Sequence, residues 1–313
     1  MTSTQSLLFV FGLGYSALQL AGKLQTSGWR VAGTVRTLAK AAGLRACGID
    51  AEVWGGEGPV AVPDGAHWLI TLPPGRRGCP AALAAGAGAG RARSITYLST
   101  TGVYGDLRGG WAFEWSPVAP SSPRAAARVL AETQWLAASD GAARLVRLPG
   151  IYGPGRSPFD RLRDGTAQRV MKPGQVFSRV HVDDIASGLA SLVQRPEASG
   201  VFHLCDDLSA PPQDVTAFAA ELLGVPAPPE VAFAEAGLSE MAASFYAECK
   251  RVTNARAKAA LGANSGSYAL AARTPAGLRL CAALRPGRRR LRPPAGIFAG
   301  PRGALRALRA SAG

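Results

Sequence analysis

A five-residue apolar run, residues 7–11, ends directly on Gly12-Leu13-Gly14-Tyr15-Ser16-Ala17, where a helical pattern opens. A strand that feeds a helix through G-x-G-x-x-A starts a βαβ unit, and this limits the fold more than any other feature of the chain. Gly12 permits the tight turn, Gly14 lets the backbone approach a ligand with no side chain in the way, and Ala17 lets the helix lie close to the strand. Free N–H groups and the positive end of the helix dipole then face the turn, an arrangement that suits a pyrophosphate. The other reading of these residues is a Gly-rich turn without a ligand.

The rest of the first two-thirds alternates in the same way. Strand patterns at residues 30–35, 52–54, 68–72, 95–99 and 144–148 are interleaved with helical patterns at 16–26, 38–46 and 123–138. This alternation predicts an α/β fold, a Rossmann-type doubly wound parallel sheet followed by a smaller C-terminal region. A strand at 201–204 and helices at 184–194 and 212–223 follow, with Pro-rich spacers at 211–212 and 225–229. The expected organisation is a domain over residues 1–150, to which 181–205 return, and a region over 151–263. A basic Arg/Ala/Gly/Pro tail over 264–313 is expected to be disordered. Residues 81–93, AALAAGAGAGRAR, read as a low-complexity run with little to pack.

The net charge of +14 over 313 residues looks like a nucleic-acid signal until it is located. From Arg251 onward there are 13 basic residues and no acidic one, which leaves 22 basic against 21 acidic in residues 1–250. Clustered arginine neutralises phosphates, but Phe298 is the sole aromatic after Tyr268, so base stacking is poorly served. The tail also reads as a solvated extension. The reading preferred here is a change of reading frame near residues 262–264, since Arg, Ala, Gly and Pro without acids is what a GC-rich gene gives out of frame. Nucleic acid is therefore not an expected partner. The most apolar stretch, residues 7–22, is too short and too polar to span a bilayer and carries no signal-peptide flanks, so a cytoplasmic protein is expected. Five scattered cysteines and three distant histidines predict reduced, mostly buried thiols and no metal site.

The second strand ends Val35-Arg36, and no acid stands between Ala32 and Leu44. An NAD site calls for Asp or Glu here to hold the ribose 2′-hydroxyl. A guanidinium offers a fork to a 2′-phosphate instead, so NADP is expected over NAD. The alternative is a solvated arginine at a strand end.

Five landmarks then fall in one order: GLGYSA at 12–17, TYLSTTGVYGD at 96–106, RLPGIYGPGR at 147–156, SRVHVDDIA at 178–186 and FHLCDD at 202–207. In these motifs, over about residues 6–263, the chain resembles the extended short-chain dehydrogenase/reductase superfamily, the NAD-dependent epimerase/dehydratase family. Its G-x-G-x-x-A spacing makes it an atypical branch, since the family pattern is G-x-x-G-x-x-G. The resemblance implies an NAD(P)-dependent oxidoreductase or isomerase with a small, sugar-nucleotide-like substrate. It implies NAD(P) binding for the domain over 1–150 and mainly the substrate side for the region over 151–263. It assigns Gly12, Gly14, Tyr15, Ser16, Ala17, Arg36 and Thr100 to the dinucleotide.

Family chemistry uses a Ser or Thr hydroxyl with a Tyr-x-x-x-Lys pair. Thr100 matches the hydroxyl, four residues before Tyr104. Counting back from Glu132, which matches the family's helix glutamate, Arg124 takes the Tyr position and Arg128 the Lys position. The Tyr is absent, and arginine stays protonated and is no general acid or base. Thr100, Tyr104 and Arg128 are the catalytic candidates. Arg128 reads equally as a ribose contact or a helix-surface cation, and Tyr104 as a replacement acid or as cleft lining. Tyr152 and Arg156, on a Pro- and Gly-rich loop, are candidate substrate contacts. Arg179 is a further one, close to the family's anion-binding arginine but two residues nearer His181. Asp183 and Asp184 read as caps of a helix beginning at Ile185, His181 as a packed strand end, and Asp106 and Glu114 as loop anchors. Because the Tyr is lost, a non-catalytic NADP-binding sensor or scaffold is the alternative function.

Overall fold

Strand, helix and strand follow one another as the apolar pattern dictates in a computed structural model, which describes residues 5–261. The first half carries β1 (Leu7–Phe11), α1 (Tyr15–Gln25), β2 (Arg30–Val35), α2 (Leu38–Ala46), β3 (Asp50–Val53) and β4 (His67–Ile70). Next come α3 (Pro80–Ala85), β5 (Ser94–Thr100), β6 (Trp111–Ala112), α4 (Pro123–Ala138) and β7 (Arg144–Leu148). Beyond these lie β8 (Gly150–Tyr152), α5 (Pro158–Arg163), β9 (Arg169–Met171), β10 (Arg179–His181), α6 (Val182–Val193) and β11 (Gly200–His203). The last described elements are α7 (Pro212–Leu223), β12 (Glu230–Ala232), α8 (Glu240–Phe245), β13 (Arg251–Val252) and α9 (Ala255–Leu261).

Seven strands form one sheet in the order β11-β7-β5-β4-β1-β2-β3, and every neighbouring pair is parallel. The strand order reverses at β1, which lies between β2 and β4, and in open α/β sheets ligands bind at such a reversal, beyond the carboxyl ends of the strands. Both faces are covered, so the strands read as continuous apolar runs. Along β1 the side chains alternate. Leu8 and Val10 join the cluster under α1 and α6, while Phe9 and Phe11 join the aromatic cluster under α4. Phe11 meets Trp68 edge-on at 5.6 Å, and Trp68 meets Trp135 of α4 at 6.3 Å. At the other end of the sheet the wholly buried Arg144 donates to the Leu192 and Arg195 carbonyls, closing the C-terminus of α6. Three short parallel pairs, β8–β10, β9–β12 and β6–β13, lie outside the main sheet.

The strands expected at 52–54, 68–72, 95–99 and 201–204 shift by one or two residues at their ends. Two expectations are overturned. Helix α6 starts at Val182, and its cap is His181, whose Nδ1 accepts the Asp183 N–H at 3.2 Å; Asp183 and Asp184 lie inside the first turn. The run at 81–93 is also a packed element. It forms α3 and a 3₁₀ turn over Gly86–Arg91, with Ala81, Ala85 and Ala89 buried at every fourth position. A Cβ on Gly86 would stand 3.6 Å from that of Ala138 in α4, so small side chains are what let these elements approach.

Cys79 and Cys205 are buried, Cys249 is half-buried and Cys47 is exposed. Cys281 and the basic tail of 264–313 fall outside the described residues. Among the described residues no helix is long and apolar enough to cross a membrane.

The alanine packing is testable. Ala81→Leu forces extra volume into a filled site and should lower unfolding free energy by about 1–3 kcal/mol. A urea midpoint equal to that of the unsubstituted protein would mean that the run is loosely packed.

Candidate functional site

The turn after β1 is braced from both sides. Gly12 N–H donates to Thr34 Oγ1 at 3.0 Å and Leu13 N–H to the Thr34 carbonyl at 2.8 Å, both from β2. Just beyond β4, Thr71 N–H donates to the Phe11 carbonyl at 3.1 Å and its hydroxyl to the Gly12 carbonyl at 2.5 Å. Gly12 has φ +93°, and a Cβ there would stand 2.7 Å from the Leu72 side chain. Gly14 differs: its φ of −101° suits any residue, and a Cβ there would meet only the Gly12 carbonyl oxygen, at 3.8 Å. Gly14 caps α1 without a side chain, and the first turn of α1 contains no acid. Arg36, two residues after Thr34, is exposed beside this turn, and Thr37 next to it caps α2 by accepting the Lys40 N–H at 3.4 Å.

Thr100 closes β5, two strands from β1, and its Oγ1 accepts the Gly102 N–H at 3.2 Å. Its hydroxyl proton is left to donate elsewhere. Arg128 is not a helix-surface cation. Its Nη1 donates to the Tyr97 hydroxyl and the Leu98 carbonyl, both at 2.9 Å, and to the Leu72 carbonyl at 3.4 Å. It thereby ties α4 to the ends of β4 and β5. Burial holds the Tyr97 phenol up at about 12 against the pull of Arg128. Arg124, at the family's Tyr position, is exposed.

Tyr104, a candidate replacement acid or cleft-lining residue by sequence, has no exposed surface. It is fully buried inside a polar chain that joins several elements. Arg147 in β7 forks onto Glu132 in α4 at 3.0 and 2.6 Å and donates to the Tyr104 hydroxyl at 2.7 Å. Tyr104 lies 2.6 Å from His203 Nε2, and His203 Nδ1 lies 2.9 Å from the Thr253 carbonyl. A carbonyl only accepts, so Nδ1 carries the ring proton and Nε2 accepts from Tyr104. Burial pushes the Tyr104 phenol up and the His203 imidazole down to about 4. Glu114, also buried, stands 3.9 Å from His203, and burial raises its carboxyl.

The remaining sequence candidates divide. Tyr152 is buried with Phe159, Val215 and Ala219 and meets His181 edge-on at 5.1 Å, so its ring is packed into the core. Arg179 donates to the Phe177 and Ala210 carbonyls at 3.0 and 3.1 Å, and burial lowers it to about 10. It thus closes a loop and is no free anion binder. Arg156 is exposed and stacks 4.4 Å from the ring centre of Tyr15. The structure therefore brings the 153–156 turn onto the glycine turn, a contact invisible in the spacing. Asp106 anchors its loop through the N–H groups of Arg108 and Cys249, at 3.0 and 2.7 Å.

No family model matches the chain. The Escherichia coli K12 protein YeeZ is 30% identical over 214 residues, covering 63% of this chain and 76% of YeeZ. The chain belongs to the YeeZ family. A functionally unknown conserved protein from Silicibacter pomeroyi DSS superposes with TM-score 0.77 at 43% identity, over 85% of this chain and 99% of that one. A dTDP-glucose 4,6-dehydratase from Bacillus anthracis in complex with NAD gives TM-score 0.63 at 14% identity, over 82% and 90%. A UDP-glucuronic acid 4-epimerase from Bacillus cereus in complex with NAD gives 0.64 at 13%, over 81% and 89%. The fold of this YeeZ-family chain is that of the NAD-dependent epimerase/dehydratase proteins.

Sequence reasoning missed Thr34 and Thr71, whose side chains brace the glycine turn; a threonine in or beyond a strand gives no signal of that task. It also missed the partner of Glu132. One signal was present, because a charged Arg147 in the otherwise apolar run LVRL must find a buried counter-charge.

The network predicts an acid weakness. The His203 imidazole titrates near 6.5 when unfolded and about 4 when folded, so between those values the unfolded chain takes up a proton that the folded one refuses. Stability should fall on acidification from pH 6.5 to 4, by roughly 3 kcal/mol relative to His203→Gln, which cannot titrate. Parallel unfolding curves of the two proteins across that range would contradict the assignment.

Proposed function

We propose that this protein binds a nicotinamide dinucleotide at the glycine turn, NADP in preference to NAD. In this reading it is an oxidoreductase or isomerase acting on a small, sugar-nucleotide-like molecule in the cleft above the strand ends. The observation that carries the reading is the contrast between its glycines. Gly12 is demanded by its own packing, whereas nothing around Gly14 excludes a side chain. Gly14 is also the N-cap of α1, where a ligand held at the helix start approaches the backbone. In support, the dehydratase and the epimerase with this fold are in complex with NAD.

In this reading the backbone at Gly12, Gly14, Tyr15, Ser16 and Ala17 faces the pyrophosphate, where α1 offers unpaired N–H groups and no competing acid. Arg36 presents its fork to a 2′-phosphate, with no carboxylate nearby in sequence to hold a ribose hydroxyl. When bound, the nicotinamide gives or takes a hydride. Thr100 lines the reaction site with a hydroxyl whose proton is free to be donated, and Arg128 fixes the strand end that carries it. The region over 151–263 supplies the substrate side. A second reading, a non-catalytic NADP-binding sensor or scaffold, is favoured by the burial of Tyr104 and by Arg124 at the Tyr position. Those two features leave no carboxylic or phenolic acid at the family's proton-transfer position.

Fluorescence titration with NADPH and NADH tests the proposal. NADPH should bind at least tenfold more tightly. Arg36→Ala should weaken NADPH about tenfold, roughly 1.4 kcal/mol, and leave NADH unchanged. Equal binding of both nucleotides would overturn the NADP preference, and an Arg36→Ala protein that still discriminates would overturn Arg36 as its source. Nicotinamide turnover on adding sugar nucleotides supports the enzyme, and binding without any turnover supports the sensor.

A further inference from the structure

Arg156 sits on a closed four-residue turn that rests against the start of α1. Arg156 N–H donates to the Gly153 carbonyl at 2.9 Å, and the reverse bond is 3.4 Å. The Tyr15 hydroxyl donates to the Pro154 carbonyl at 3.1 Å, and a Cβ on Gly153 would stand 2.6 Å from that hydroxyl. Tyr15 is the first residue of α1, so the guanidinium is stacked on the residue that opens the helix. Among the described residues no ion pair involves Arg156, and its side chain is exposed. A cation–π stack at an exposed site holds weakly, at about 0.5–1 kcal/mol. Such a stack yields readily to a doubly charged anion, which a guanidinium binds in bidentate fashion.

Resting on the dinucleotide reading above, we infer that Arg156 is a cofactor-binding residue: its guanidinium leaves the Tyr15 ring and neutralises the pyrophosphate at the start of α1. The turn over 153–156 is then the far wall of the dinucleotide site, held to the near wall through Tyr15. Arg156 and Arg36 divide the cofactor's charge, one at the pyrophosphate and one at the 2′-phosphate.

Titrations with NADPH and with 2′-AMP, which lacks the pyrophosphate, separate the two arginines. Arg156→Ala should weaken NADPH at least tenfold and leave 2′-AMP unchanged, and Arg156→Lys, which keeps the charge, should recover part of the loss. Equal NADPH binding by Arg156→Ala and the unsubstituted protein overturns the inference and leaves the dinucleotide reading intact. Loss of NADPH and 2′-AMP together in Arg156→Ala overturns it as a pyrophosphate contact. An unsubstituted protein that binds no NADPH removes the dinucleotide reading and this inference with it.

Discussion

At Gly12 the chain reverses direction against the ends of two neighbouring strands, and the rest of the site is positioned from that reversal. The turn is held by Thr34 on one side and Thr71 on the other. These bonds fix where α1 begins, and so where its unpaired N–H groups point. The same contacts place Arg36 beside the turn, because Thr34 is two residues upstream of it. A glycine at φ +93°, whose added Cβ would press on the Leu72 side chain, is replaced only at the cost of backbone strain. The aromatic packing of Phe11 on Trp68 and Trp135 holds that end of β1 in the core.

The second constraint is the buried chain from Glu132 through Arg147, Tyr104 and His203 to Thr253. It links α4, β7, the turn after β5, β11 and the segment before α9. Removing one partner leaves a buried charge or hydroxyl unsatisfied, which is far more costly than losing an exposed pair. The chain also holds the Tyr104 phenol out of solvent, tied to Arg147 on one side and His203 on the other.

Much of the architecture was legible because parallel strands buried on both faces must be continuous apolar runs. For that reason 7–11, 30–35 and 144–148 match their strands to the residue. The errors have physical causes. Alanine and glycine in 81–93 give no hydrophobic signal, yet their small size is what lets α3 approach α4. The start of α6 was misplaced because a histidine supplied the cap where aspartate was expected. At the site, the glycine turn itself could be read from sequence because its shape is local to one βαβ unit. The burial of Tyr104 and Tyr152, the loop-closing role of Arg179 and the stacking of Arg156 on Tyr15 depend on contacts between segments far apart in sequence. Spacing carries no trace of such contacts.

The central claim is that Gly14 is a glycine for the sake of a ligand. Thermal melting of Gly14→Ala with and without saturating NADPH tests it most directly. The account predicts that, without nucleotide, the variant folds and loses no more than about 1 kcal/mol, the cost of alanine at a helix N-cap, since its Cβ meets nothing closer than 3.8 Å. NADPH should then raise the melting temperature of the unsubstituted protein alone. A variant stabilised by NADPH as strongly as the unsubstituted protein, or no stabilisation of either, would contradict it.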